Sequence, residues 1–171
     1  MRQAALRLLA LWAGTGTALR RAVAETCTET LIDASCSAGY RGVQLMAIRV
    51  LKTVAPDILH TPNELPVTKA ALAVWRCHDV NRRDSALMLL ASMAISPEAR
   101  ALIRSAGVLS EMPAYLTCSR WWAPVAFILA MTADDVPARQ AMAGSAVMST
   151  LKSLQHIGEV DALLGALTTT T

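Results

Sequence analysis

The sequence predicts an all-α chain folded as a short helical solenoid. Three observations carry that expectation. Apolar residues recur at i, i+3, i+4, i+7 and i+8 in several segments, the spacing of one face of a helix. No segment alternates apolar and polar residues with a period of two between turn residues, and β-branched runs are absent apart from Thr168–Thr171 at the end. Finally, a shift of about 40 residues, a period used by helical repeats, lays one part of the chain on another. In that register Leu90, Ala91, Ala94, Ala99, Arg100, Val108 and Ser110 meet Leu129, Ala130, Ala133, Ala138, Arg139, Val147 and Ser149.

Residues 1–24 come first in the chain and differ from the rest. They carry Arg2, Arg7, Arg20 and Arg21 and no acid. Leu6, Leu9 and Ala13, with Ala5, Leu8 and Trp12, fall at helical spacing, so the segment predicts an amphipathic helix. Arg-bearing, acid-free amphipathic sequence of this kind has the composition of a mitochondrial presequence. A secretory signal is the runner-up, disfavoured because Arg7 interrupts the apolar region and an Arg pair follows it. A cap on the solenoid is the plainer reading, and a retained segment would serve both as targeting signal and as docked helix. Its apolar core is too short to span a bilayer, which takes about 20 residues.

A single helical repeat domain is expected over residues 25–171. Thr26-Cys27-Thr28-Glu29 matches a capping box and predicts a helix starting there and ending near Ser37-Ala38-Gly39. Residues 41–55 follow, with Val43, Met46, Ala47, Val50, Leu51 and Val54 as a one-sided stripe closed by Pro56. His60-Thr61-Pro62-Asn63 reads as a loop, and Pro66 suits the first turn of a helix over 67–77 that buries Ala70, Ala71, Val74 and Trp75. Asn81 is a candidate cap for the helix over 82–95, with Leu87, Leu90, Met93 and Ala94 inward. Met88 and Leu89 make that helix apolar nearly all round, which places it centrally.

Ser96-Pro97-Glu98 opens the next helix, Gly107 breaks it, residues 108–116 predict a helix of medium length, and 121–133 a long apolar one. The unit that repeats is thus a short helix, a small-residue turn, a medium helix and a long buried helix. One unit cannot cover its own apolar face, so neighbours must stack. The run Ser96-Pro97-Glu98-Ala99-Arg100-Ala101-Leu102-Ile103-Arg104-Ser105-Ala106-Gly107-Val108-Leu109, with Met112, Tyr115 and Leu116 after it, resembles the start of an armadillo repeat. Residues 135–154 resemble a degenerate copy, with Ala146 in place of the glycine. The resemblance is clearest over 96–154 and spans about 25–167, and HEAT-type stacking is its near alternative. It implies an armadillo/HEAT-like α-solenoid of about three to four repeats whose third helices line a groove. Peptide-binding armadillo proteins carry an Asn ladder there. Segments 41–55 and 121–133 have no Asn, and Asn81 precedes its helix, so that mode of binding is not expected.

Composition narrows the function. The chain is 54% hydrophobic and 17% charged, against an ordinary charged share of about 25%. Such a surplus predicts apolar surface that meets a partner or a membrane. Setting the four N-terminal arginines aside from the 16 basic residues leaves 12 against 13 acids, so the body lacks the basic patch that direct nucleic-acid binding needs. Cys27, Cys36, Cys77 and Cys118 show no ligand-like spacing and read as buried free thiols, with a Cys27–Cys36 CX8C pair as the alternative.

Neither His60, His78 nor His156 sits in a metal-binding motif, and Cys77-His78 places two adjacent residues in different directions rather than as a dyad. Asp134-Asp135 reads as a helix cap, and Arg82-Arg83 as solvated or paired with Asp79 and Asp84. No catalytic site, cofactor or metal is expected.

Trp75, Arg120, Trp121 and Trp122 are the candidate partner-binding residues, since Trp and Arg are enriched at interface hot spots. Of the tandem pair, one Trp is expected inside and the other facing a partner or lipid. The resulting expectation is a non-enzymatic accessory subunit of a large mitochondrial assembly. An inner-membrane energy-transducing complex (ATP synthase or respiratory chain) is favoured, with protein subunits as partners and peripheral lipid contact alongside. A mitochondrial ribosome accessory protein and a cytosolic armadillo-like peptide-binding adaptor are the alternatives.

Overall fold

Every regular element is helical among the residues that the computed structural model describes, which are 2–37, 40–116, 120–133 and positions 149, 152 and 153. The chain forms two compact units, Met1–Ala99 and Arg100–Thr171.

In the first unit, α1 (Arg2–Thr15) and α2 (Thr17–Cys36) are joined by Gly16 alone. They are followed by α3 (Arg41–Ile58), α4 (Glu64–Trp75) and α5 (Val80–Met93). The centre is α3, which packs on α1, α2 and α5. Ala47, Ile48, Val50, Leu51, Val54 and Ala55 are all completely buried, so the inward face is wider than the six-residue stripe of the sequence. A buried Val, Leu or Ile side chain contributes about 1.5–3 kcal/mol, which makes this helix a major source of apolar stabilisation in the unit. Its outer face is marked by exposed Arg41, Arg49, Lys52 and Pro56.

Several expected boundaries move. The capping box at Thr26 starts nothing, because α2 runs through it without a break. No Gly or Pro separates Thr17 from Thr26, and the Thr26 hydroxyl donates back to the Ala22 carbonyl at 2.7 Å, an in-helix bond rather than a cap. The division expected between residues 24 and 25 therefore falls in the middle of a helix, and residues 1–24 belong to the first unit. Leu6, Ala13, Val23 and Ala24 are buried in it, and Arg20 is ion-paired with Asp57 of α3.

Pro56 does not close α3, which continues to Ile58. The N–H that Pro56 lacks would have bonded the Lys52 carbonyl. Both residues are exposed, so the missing bond falls on the outer side of the helix, and the last turn survives. Asp79, not Asn81, caps α5: its carboxylate accepts the Arg82 N–H at 3.0 Å, and its charge sits favourably at the helix N-terminus. As expected, Pro66 lies in the first turn of α4.

α6 (Pro97–Ser105) opens as predicted, with the Ser96 hydroxyl accepting the Ala99 N–H at 3.3 Å. It ends at Gly107, whose φ of 72° is left-handed. Nothing crowds a Cβ there, so it is the backbone angle that favours glycine.

In the second unit, residues 108–116 do not form the medium helix expected of them. Two 3-10 turns, Val108–Ser110 and Met112–Tyr115, stand in its place. Pro113 has no N–H to return to the Leu109 carbonyl, so i→i+3 bonding replaces the α-helical ladder. Then comes α7 (Trp122–Ala133), which accommodates Pro124 in its first turn. The repeat copy over 135–154, Asp134-Asp135, Cys118 and His156 lie outside the described residues, apart from positions 149, 152 and 153.

Candidate functional site

α7 reads WAPVAFILAMTA, and its one polar side chain is turned inward. Thr132 is buried and donates to the Ile128 and Leu129 carbonyls of its own helix at 2.8 and 3.0 Å. Val125, Ala126, Ile128, Leu129 and Ala133 are buried beside it. The opposite face consists of Ala123, Phe127 and Ala130, at i, i+4 and i+7, all exposed. Phe127 is 41% exposed, a large aromatic ring flanked by two alanines. Trp122, Pro124 and Met131 are half-buried. This face can bury a partner's apolar side chains but offers no side-chain hydrogen bond.

The tandem tryptophans do not divide into one buried and one exposed. Both are half-buried, because they lie at the entry of α7 rather than along it. Trp121 packs edge-on against Tyr115, ring centroids 5.1 Å apart and planes at 62°, a favourable aromatic geometry. Its carbonyl accepts the Val125 N–H at 3.1 Å. Arg120 is exposed immediately before it. Arg120, Trp121 and Trp122 thus stand together at one end of α7.

Trp75 is elsewhere and otherwise employed. It is 2% exposed, a core residue of the first unit, so the partner-binding role expected of it is not available on the surface. The Arg83 guanidinium lies 6.0 Å from its ring centroid, in cation–π range, and donates to the Cys77 carbonyl at 3.1 and 3.3 Å.

Phe127 escaped the sequence reading, which treated its segment as one apolar run. The signal was present: a twelve-residue helix with a single polar residue must show an apolar face wherever it meets solvent.

The polar groups of the first unit are spent on architecture. Gln44, nearly buried on α3, donates to the Ser37 carbonyl at the end of α2 and accepts from Arg82 of α5. Arg82 is also 3.9 Å from the Asp79 carboxylate, close to the pairing expected of it. Glu64, buried at the start of α4, accepts the His60 N–H at 2.6 Å and the Ser96 hydroxyl. That contact supports the left-handed His60, whose φ is 64° and whose ring points to solvent. Ser96 also lies 2.9 Å from the Glu98 carboxylate.

The Cys77 thiol lies 3.6 Å from the Asp79 carbonyl, to which it donates. Cys27, Cys36 and Cys77 are free thiols, but none is fully buried, and Cys36 is exposed. Cys27 and Cys36 share one helix, about 13 Å apart along its axis at 1.5 Å per residue, beyond disulfide reach. Among the described residues no three His, Cys, Asp or Glu side chains cluster as a metal site. A groove of about 400 Å³ runs beside α1, lined mainly by Ala5, Leu6, Leu9, Thr30, Ala34 and Val43.

No protein-family model and no curated protein matches the chain. Solved structures do. An engineered protein, a Northeast Structural Genomics Consortium target, is similar over 96% of this chain and 70% of its own, with 22% identity and a TM-score of 0.75. A second engineered protein from the same consortium gives 0.77 at 22% identity, over 96% of this chain and 42% of its own. A designed armadillo repeat protein gives 0.59 at 15% identity, over 96% and 92%. At such identities the likeness concerns the fold alone. The fold is a short α-solenoid, an armadillo-like helical repeat.

Proposed function

We propose that this chain is a non-enzymatic helical-repeat scaffold, an accessory subunit that docks other proteins of a large assembly through the outer face of α7. The observation that carries the reading is that face itself: Phe127, Ala123 and Ala130 exposed, with no polar side chain among them. Solvent-facing positions of an ordinary helix are polar, and an exposed aromatic ring on an apolar face is a side chain that a partner's pocket can bury. Arg120, Trp121 and Trp122 extend the surface at the helix entry. The 54% apolar composition supports it, and helical repeats are built to present extended binding surfaces. The Arg-bearing, acid-free start of the chain supports a mitochondrial setting, and within it an inner-membrane energy-transducing complex.

The test is native-gel immunodetection and gel filtration of the tagged chain from fractionated cells. The wild-type chain is expected in the mitochondrial fraction at megadalton size. Phe127→Glu and Trp122→Ala should release it toward its 18.2 kDa monomer to a greater extent than they lower its thermal stability. A wild-type chain that runs as a free monomer, or Phe127→Glu and Trp122→Ala variants that still migrate with the assembly, would overturn the scaffold reading. A cytosolic assembly would overturn the mitochondrial part alone.

A further inference from the structure

The outer face of α1 is a second unpartnered surface, and its chemistry differs from that of α7. Leu6 and Ala13 turn inward and are buried. On the other side, Ala4, Leu8, Leu11 and Trp12 fall at i, i+4, i+7 and i+8, one continuous stripe. Leu8 is 53% exposed, Leu11 63% and Trp12 52%, so half or more of each large side chain faces solvent. Leu19, just past Gly16, is a further exposed leucine.

Charge separates the two surfaces. α7 contains no ionisable residue, whereas exposed Arg7 flanks the α1 stripe and exposed Arg21 follows in α2. The first acid in the chain is Glu25. Leucines and a tryptophan beside arginines make the surface of an interfacial helix, and Asp33 of α2 lies on the groove side with Leu6 and Leu9 rather than in that stripe. Such a helix lies in the headgroup plane with its apolar side in the acyl boundary and its cations on anionic lipid. Trp suits that depth because its ring is apolar and its N–H can stay hydrated. No helix among the described residues is long and apolar enough to cross a membrane, so α1 would lie on the bilayer.

We infer that α1 is a peripheral membrane-docking helix that binds anionic bilayers through Leu8, Leu11 and Trp12, with Arg7 and Arg21 supplying the electrostatic attraction. The inference does not depend on the scaffold reading. A chain that binds vesicles yet runs free of any assembly keeps this one and loses the other.

Co-sedimentation of the full chain tests it, with vesicles of phosphatidylcholine alone and of phosphatidylcholine mixed with phosphatidylserine. Binding to the anionic vesicles should exceed binding to the neutral ones by about tenfold or more. The triple variant Leu8→Gln, Leu11→Gln, Trp12→Gln should lose about tenfold or more of that binding with its melting temperature unchanged, since all three residues are exposed. Should the triple variant fail to fold, Arg7→Gln with Arg21→Gln carries the test: it alters charge alone and should weaken anionic binding by about tenfold or more. High salt should act in the same direction. A chain left in the supernatant with both vesicles overturns the inference, as does equal binding to both. So does a folded triple variant that still sediments, or one whose only change is the loss of self-association seen by light scattering.

Discussion

α3 and α7 are both dominated by apolar side chains, and they treat their outer faces in opposite ways. On α3 the exposed residues are Arg41, Arg49, Lys52 and Pro56, so the solvent side is marked in its sequence by charge and proline. It also carries Gln44, which ties the end of α2 to Arg82 of α5. α7 has neither device: its outward positions are Ala123, Phe127 and Ala130, and its lone hydroxyl donates to its own backbone. The difference teaches what each helix is finished by. α3 ends its apolar face in exposed charged residues, while α7 leaves three apolar residues exposed, a side that the proposed docking would cover.

Substitutions can break or sharpen that contrast. Leu51→Ala, at a completely buried position of α3, should be the largest: about 2–5 kcal/mol of stability lost, read by urea unfolding. Loss below that range would mean that α3 is not the centre of the first unit. Gln44→Ala should cost about 1–3 kcal/mol, because the Ser37 carbonyl and the Arg82 guanidinium both lose a partner in a nearly buried place. The smallest change is expected at Thr132→Val in α7, within about 0.5 kcal/mol by thermal melting, since the two carbonyls its hydroxyl reaches are those of its own helix. A large loss there would show that α7 depends on a buried polar group after all, and the contrast with α3 would fail.

These helices also show how much could be read before the structure. The stripe of α3 was legible because its polar and apolar positions segregate at helical spacing. So were the Ser96 cap and the Gly107 stop, where one residue type decides the backbone. Less legible were features that depend on competition between local signals. Thr26-Cys27-Thr28-Glu29 has the letters of a cap, but the preceding residues hold nothing that ends a helix, so the hydroxyl turned to the Ala22 carbonyl instead. Asp79 and Asn81 are both able caps, and only the backbone path chose between them. Pro113 was overlooked inside an apolar stripe that otherwise looks helical. At the candidate site, Arg120, Trp121 and Trp122 are proposed from residue type, while Phe127 needed the burial of its neighbours to reveal which side of α7 faces out. Trp75 was misassigned for the same reason: residue type marks a good anchor but not whether the fold has already consumed it.

The unbroken run of α2 through residues 24 and 25 has a consequence for biogenesis. A peptidase that trimmed the chain there would take away all of α1, the first turns of α2, buried Leu6, Ala13 and Val23, and the ion pair from Arg20 to Asp57. What remained would have α3 uncovered along the side that α1 and the start of α2 now protect. Folding would therefore enclose the very residues that such trimming removes, and a chain trimmed before it folded would present bare core where α1 and the start of α2 now pack.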